Sequence, residues 1–446
     1  MSAKLLIGVL LLCAGPALVR AADWPQWLGP QRNGTCSESD WSWDWPKEGP
    51  RRRWKVPVGA GFSAVSVCDG RLYTLGNAGR GQDKETVWCL EADTGKPLWQ
   101  YTYPGRNAIV PFPGPRSTPT VSGKAVFTLG QQGQLHCFEK DKGSLLWSKD
   151  FHSEFGWPSS PKGGDRNPKG YGYACSPLLV GDLIVLDVGA PKASVVAFNK
   201  QTGAVVWKSL AGLGRHPNGS YSSPVSVHWK GKEVVVLFAS SGVVALDATT
   251  GDTLWEYGRE IEALTGHHVS TPVVEGEKLF VSDLGQRGCE LLEIGTATAV
   301  WKNQHLKTHW STSVLWNRCF FGFDGRDGSK DAALVCLDVQ TGEEKWRQPT
   351  NMSGSLICAG GKLICLSLKG RLTVVDAAPE AYKELASAAI FQVDPRKLKE
   401  FAPGSIEQGN VISPDVCRTP PVLSGGQLYC RNASGDLVCL DLRKPR

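Results

Sequence analysis

The residue types that could carry chemistry are plentiful but poorly spaced for it. Fourteen cysteines and eight histidines would supply several metal or redox centres. Yet no Cys-x-x-Cys-His run offers a covalent haem site, and no Cys/His cluster has zinc-ligand spacing. Asp324-Gly325-Arg326-Asp327-Gly328 is similar to a calcium loop but lacks the third ligand pair and the terminal Glu that would complete the oxygen shell, so it reads as a hairpin loop. His267-His268 reads as a loop feature. Cys89, Cys137, Cys336 and Cys439 fall in one recurring slot where Ala197 and Ala245 stand elsewhere, which marks them as small buried hydrophobes. One pair could form a disulfide. With Ser434-Gly435 as a two-residue turn, Cys430 and Cys439 stand opposite each other on adjacent strands, within bonding reach.

Whatever positions these side chains must be built from short strands. The 446-residue chain carries 51 Gly and 17 Trp against 2 Met, a balance that suits turns and strands rather than helix bundles. Its net charge of +6 falls by two without Lys4 and Arg20, the basic residues of the leader. The only dense basic run, Arg51-Arg52-Arg53, is too short for a nucleic-acid footprint, so no nucleic-acid partner is expected. Lys4, the apolar run Leu5–Leu12 and the small residues around Ala21 predict a secretory signal peptide over residues 1–21, and hence export to the periplasm or the extracellular space. Leu12, directly before Cys13, is bulky where a lipoprotein signal has a small residue. No later run is long and apolar enough for a transmembrane helix.

Residues 22–53 form an N-terminal extension, and beyond them a repeat accounts for nearly the whole chain. Its unit runs through three apolar strands joined by Gly turns and closes on Thr-Gly-x-x-x-Trp, as in Thr94-Gly95 with Trp99, Thr202-Gly203 with Trp207, Thr250-Gly251 with Trp255 and Thr341-Gly342 with Trp346. The period is roughly 49 residues, one four-stranded propeller blade. A stacked solenoid would show a similar period. The chain ends decide between them. The last copy, Gly426–Asp441, stops without its Trp strand, and the missing piece stands at the front as Arg53-Trp54-Lys55-Val56. The prediction is an all-β, eight-bladed β-propeller of four-stranded antiparallel blades over residues 54–446, closed by the N-terminal strand completing the last blade. The Trp residues cover the gaps between blades. The seventh repeat departs from the pattern, with Leu385 in the Trp slot. Residues 376–416 form an irregular connection to the eighth blade, in which Pro395–Glu400 could make a helical turn or two.

These repeats resemble the pyrroloquinoline-quinone (PQQ) type propeller family, and the opening Asp23-Trp24-Pro25-Gln26-Trp27-Leu28-Gly29-Pro30 with Gly34 is similar to secreted bacterial members of it. The resemblance implies either a quinoprotein dehydrogenase or a non-catalytic scaffold such as the outer-membrane protein assembly propeller. The dehydrogenases hold PQQ on the propeller axis beside Ca²⁺, with an Asp as base, and several carry a disulfide between adjacent cysteines. This chain has no Cys-Cys pair. The two positions ahead of each repeat's Ser-x-Pro slot should line the axis, and none of them is Asp or Glu. Only outlying residues such as Asp415 or Glu262 could supply a carboxylate. Arg116, Tyr173, Tyr221, His268, His309, Trp310 and Asn351 are the candidate ligand-binding residues of the channel mouth, mixing aromatic faces with donors. The same side chains could instead simply fill a narrow hole. The expectation is an exported, monomeric, non-catalytic scaffold for a protein, peptide or saccharide partner, without cofactor or metal. The alternative is a PQQ- and Ca²⁺-dependent dehydrogenase oxidising an alcohol or sugar.

Overall fold

The Thr-Gly-x-x-x-Trp spacing is a lock between neighbouring sheets. Each repeat Trp sits on the fourth strand of its blade and donates its indole N–H across to a turn of the next blade. Trp99 donates to Lys140 O (2.9 Å), Trp147 to Lys200 O (3.1 Å), Trp207 to Ala248 O (2.9 Å), Trp255 to Thr296 O (2.9 Å), Trp301 to Val339 O (3.0 Å) and Trp346 to Ala378 O (2.8 Å). In four of these turns the receiving Gly, Gly143, Gly203, Gly251 or Gly342, packs against that ring. A Cβ on Gly251, which has φ +77°, would stand 2.5 Å from the Trp207 ring, so this position needs Gly both for its backbone and for the contact. Trp and Gly of one motif thus belong to two different interfaces.

The computed structural model describes residues 23–77, 84–105, 114–156, 171–212, 220–259, 267–285, 287–326, 329, 331–350, 353–392 and 416–444. These form eight sheets. The first blade takes Ser66–Cys68, Arg71–Asn77, Lys84–Glu91 and Pro97–Pro104 in order, and the next six begin at Thr120–Ser122, Leu178–Val180, Val225–Trp229, Val273–Glu275, Val314–Trp316 and Gly354–Ala359. The eighth is completed out of sequence. Val422–Ser424, Gln427–Arg431 and Asp436–Asp441 are joined by Arg51–Pro57, which pairs antiparallel with Asp436–Asp441. Trp54 then locks onto Ala92 O of the first blade at 3.0 Å, and the ring is sealed as expected. The leader lies outside the described residues, as do Pro395–Glu400, Asp415 and Glu262.

One predicted contact fails. Cys430 and Cys439 are both free, and the ladder pairs Cys430 with Val438 and Tyr429 with Cys439. The turn is not the two-residue turn assumed. Asn432 donates its backbone N–H to Asp436 O (3.1 Å), closing a three-residue loop that changes the parity of the register, so the two thiols project from opposite faces of the sheet. Cys89, Cys137, Cys336 and Cys439 are fully buried, and burial pushes the Cys89, Cys137 and Cys439 thiols up to about 12.

The N-terminal extension is a strap that engages every blade. Trp24 exchanges backbone hydrogen bonds with Val67 of the first (both 2.8 Å), and Pro25 O accepts from Val121 N of the second (2.8 Å). The Arg32 guanidinium donates to Pro177 O of the third (2.9 Å) and Pro224 O of the fourth (3.1 Å). Trp27 Nε1 donates to Thr271 Oγ1 of the fifth (3.0 Å), Gly34 abuts Val314 of the sixth, and Thr35–Cys36 adds a parallel strand to the seventh. At the eighth, the Glu38 carboxylate takes the backbone N–H of Gly425 and Gly426, and Ser42 N donates to Leu442 O (2.6 Å). Leu442 stands where Ala92, Lys140 and Ala248 stand in other blades. It is the carbonyl that a seventh-blade Trp would have capped, and the strap caps it instead, with Trp41 buried alongside. A segment that reaches the inner strands of all eight blades must cross the central channel.

Candidate functional site

In extended backbone successive side chains point to opposite sides. The two residues ahead of each first strand therefore separate, one facing the axis and the other the gap between blades. The second of each pair lines an axial pocket, as Phe62, Arg116, Ala174, Tyr221, Val269 and Trp310 from six successive blades. Arg418 and Thr419 of the eighth blade close the circle. Trp27 of the strap also lines the pocket. The cavity holds about 100 Å³.

Among the predicted residues, Arg116, Tyr221 and Trp310 are brought together here. His309 packs on Trp310, with ring centroids 4.5 Å apart, and is not among the described lining residues. Tyr173 and His268 turn away. Tyr173 donates to Val188 O (3.0 Å) and meets Phe151 edge-on. His268 stacks on Phe238 at 3.8 Å, with Nδ1 2.6 Å from Ala239 O and Nε2 3.4 Å from Asp283 Oδ2. Burial pushes this imidazole down to about 4, the nearby Asp283 charge opposing the shift. Asn351 lies outside the described residues.

Two groups were missed. Arg418 occupies the slot that holds Ser or Cys in the other seven blades, and a large cation in a small-residue slot was the available signal. Tyr171 also lines the pocket, and its backbone N–H donates to the Tyr221 phenol oxygen (3.1 Å). Arg116 and Arg418 lie 5.4 and 5.7 Å from the Phe62 ring centroid, and Arg418 lies 5.5 Å from that of Trp310. Burial pushes the Arg116 guanidinium down to about 10, the charges of Tyr221 and Glu85 working against the shift and that of Arg418 with it. Burial pushes the Tyr221 phenol up. No Asp or Glu is found among the described lining residues.

A buried ionic cluster stands apart from this pocket. Arg259 donates to Asp283 Oδ2 (3.1 Å) and Gly288 O (2.7 Å) and lies 3.0 Å from Glu290 Oε1, which Arg287 also engages (2.8 Å). Opposite charges are paired between the fourth and fifth blades, with Arg287 partly exposed, which is a structural arrangement.

A family model described as outer membrane protein assembly factor BamB, PQQ_2, matches residues 112–348. The outer membrane protein assembly factor BamB of Shewanella oneidensis is 22% identical over 356 residues, spanning 73% of this chain and 85% of that protein. Among solved structures, BamB from Moraxella catarrhalis superposes with a TM-score of 0.59 at 13% identity, covering 88% of this chain and 99% of that one. A europium-containing methanol dehydrogenase gives a TM-score of 0.64 at 12% identity, covering 94% and 89%. At such identities the two structures establish a common fold and leave the activity to the site.

Proposed function

The chain belongs to the PQQ_2 family, and from that premise we propose that it is a non-catalytic scaffold of the cell envelope that binds protein partners during outer membrane assembly. The match to a BamB-described model over more than half the chain carries this reading. The axial pocket supports it, because its donor set does not fit a Ca²⁺–quinone pair. Hard cations take six to eight oxygen ligands, carboxylates foremost, whereas the described wall offers guanidinium, indole and phenol groups. Small-molecule sites usually span about 300–1,000 Å³, and this one has about 100 Å³. The propeller then works through its surface. Leu146 and Val206, on the outer strands of the second and third blades, and Leu210, just beyond the latter, are exposed by half or more of their area, and these are the natural places for a crosslinking probe.

The test is photo-crosslinking in intact envelopes, with a photoreactive residue at Leu146 or Val206 and the adducts identified by mass spectrometry. The reading predicts adducts with outer-membrane assembly proteins. Adducts absent from every exposed outer-strand position would overturn it.

A further inference from the structure

We propose that the outer edge of the seventh blade, with the strap beside it, binds an extended segment of a partner polypeptide by strand addition, and that an aromatic side chain of that segment sits where the blade lacks its own indole. The ladder locates the gap. Val374 pairs with Ala386 and the register skips Leu385, as in the sixth blade Cys336 pairs with Trp346 and the register skips Lys345. Ala386 rather than Leu385 therefore holds the Trp position, which corrects the sequence reading, and the slot that carries a ring in the other blades carries a methyl group here. Glu384–Ala389 is also the end strand of its sheet, and its outer backbone N–H and C=O groups have no partner among the described residues. Outer strands elsewhere carry a cation such as Lys149, Lys208, Lys302 or Arg347, which discourages pairing with another chain, whereas Leu385–Ala389 carries no charge.

The strap supplies a second wall. It meets this strand at Gly49, where an added Cβ would stand 2.7 Å from that of Ala388, yet the two exchange no backbone hydrogen bond among the described residues. Short of that contact a groove of about 490 Å³ is lined by Trp43–Lys47 of the strap and Leu385–Ser387 of the strand. Trp43 is held by an edge contact with Trp41 (5.5 Å) and by the Lys362 ammonium over its ring (5.5 Å). Asp44 and Lys47 are exposed, and neither has an ion-pair partner among the described residues. In an added strand the residue opposite Ala386 shares its face, and so do the residues two positions away on either side. That face should present an aromatic group to Trp43 and Trp45, flanked by a cation for Asp44 and an anion for Lys47. Backbone bonds then give the affinity and the three side chains the selection. The inference needs only the edge and the groove, so it stands whether or not the envelope reading does.

Intact protein is titrated, by tryptophan fluorescence and calorimetry, with the peptide acetyl-Thr-Lys-Val-Phe-Val-Glu-Thr-amide, whose Lys, Phe and Glu share one face. Saturable binding is expected, about tenfold tighter than that of the same peptide with Ala in place of Phe. The version with Gln at both charged positions should bind about threefold more weakly, the modest loss of exposed ion pairs. Two further versions are N-methylated on alternate residues, in the two possible phases, and at least one of them should lose about tenfold or more, because strand addition uses the N–H groups of one edge. At saturation, hydrogen exchange should slow within Leu385–Ala389 and stay unchanged in Thr253–Gly258, the outer strand of the fourth blade. Ala386→Lys should weaken binding about tenfold, and Asp44→Asn, on the exposed strap, about threefold. The wild-type exchange pattern and the N-methylated peptides keep the test valid if Ala386→Lys fails to fold. The proposal is overturned if binding does not saturate up to about 1 mM, if the Phe and Ala peptides bind equally, if both N-methylated peptides bind as the parent does, or if the protection falls on another blade.

Discussion

Replacing Arg32 by Met should loosen the strap from the whole inner face of the ring. The guanidinium is buried and donates to Ser176 O (3.1 Å), Pro177 O (2.9 Å) and Pro224 O (3.1 Å), and to Gln26 Oε1 (3.2 Å). Met keeps most of the apolar stem and removes every donor. Pro177 O retains the Thr120 hydroxyl at 2.6 Å, so two buried carbonyls lose their partner. Each orphaned acceptor costs about 1–3 kcal/mol. Relief from burying a cation offsets part of that sum, because burial already pushes the Arg32 guanidinium down to about 9. The net loss should be about 3 kcal/mol, close to two decades in an opening equilibrium. Hydrogen exchange reads it directly at the amides of Val67 and Val121, which donate to strap carbonyls. Their exchange should accelerate about 100-fold. Gln31→Ala, one residue away and exposed, should change it less than about threefold. If Arg32→Met leaves both amides within threefold of wild type, the strap is not held as described.

The interblade locks give further expectations. Trp207→Ala should cost about 3–5 kcal/mol, seen as a fall in the urea midpoint, because it removes a buried ring and the donor to Ala248 O together. Gly251→Ala should destabilise through the same interface, since its Cβ would meet the Trp207 ring at 2.5 Å, and Trp207→Leu should relieve part of that cost in a double-mutant cycle. Glu38→Ala should weaken only the junction of the seventh and eighth blades, exposing Trp41 to quenching while the other interfaces keep their protection. Acid should also destabilise the ring. His136 and His268 are held neutral, each pushed by burial down to about 4 from 6.5, so the unfolded chain takes up protons between those limits and the folded one does not. Stability is complete above about pH 6.5, falls towards pH 4 and then levels, each His contributing roughly 3 kcal/mol. His136→Gln should flatten the slope of unfolding free energy against pH across that window.

The architecture was legible because its decisive contact is periodic. A Trp and a Gly that serve adjacent interfaces recur at one spacing in five blades, and the leftover Arg53–Val56 at one end matches the missing strand at the other. The strap was not legible, since each blade contributes a different kind of atom to it, a backbone carbonyl here, a hydroxyl or an amide there, at unrelated sequence distances. Nothing in Trp24–Arg32 announces that Arg32 will meet three carbonyls far along the chain. The site was half legible. The strand alternation that separates Arg116, Tyr221 and Trp310 from Tyr173 and His268 is a period-two effect available in the sequence, and applying it would have divided the axial list correctly. Arg418 broke the small-residue rule in plain view. The disulfide failed on a single residue of loop length, which reverses the face of every side chain beyond the turn.

Incubation with PQQ and Ca²⁺, followed by gel filtration and dye-coupled oxidation of a panel of alcohols and sugars, tests the scaffold reading most directly. The account predicts protein that emerges without a quinone chromophore and reduces no dye. A chromophore retained near one per chain, with substrate-dependent dye reduction, would contradict it.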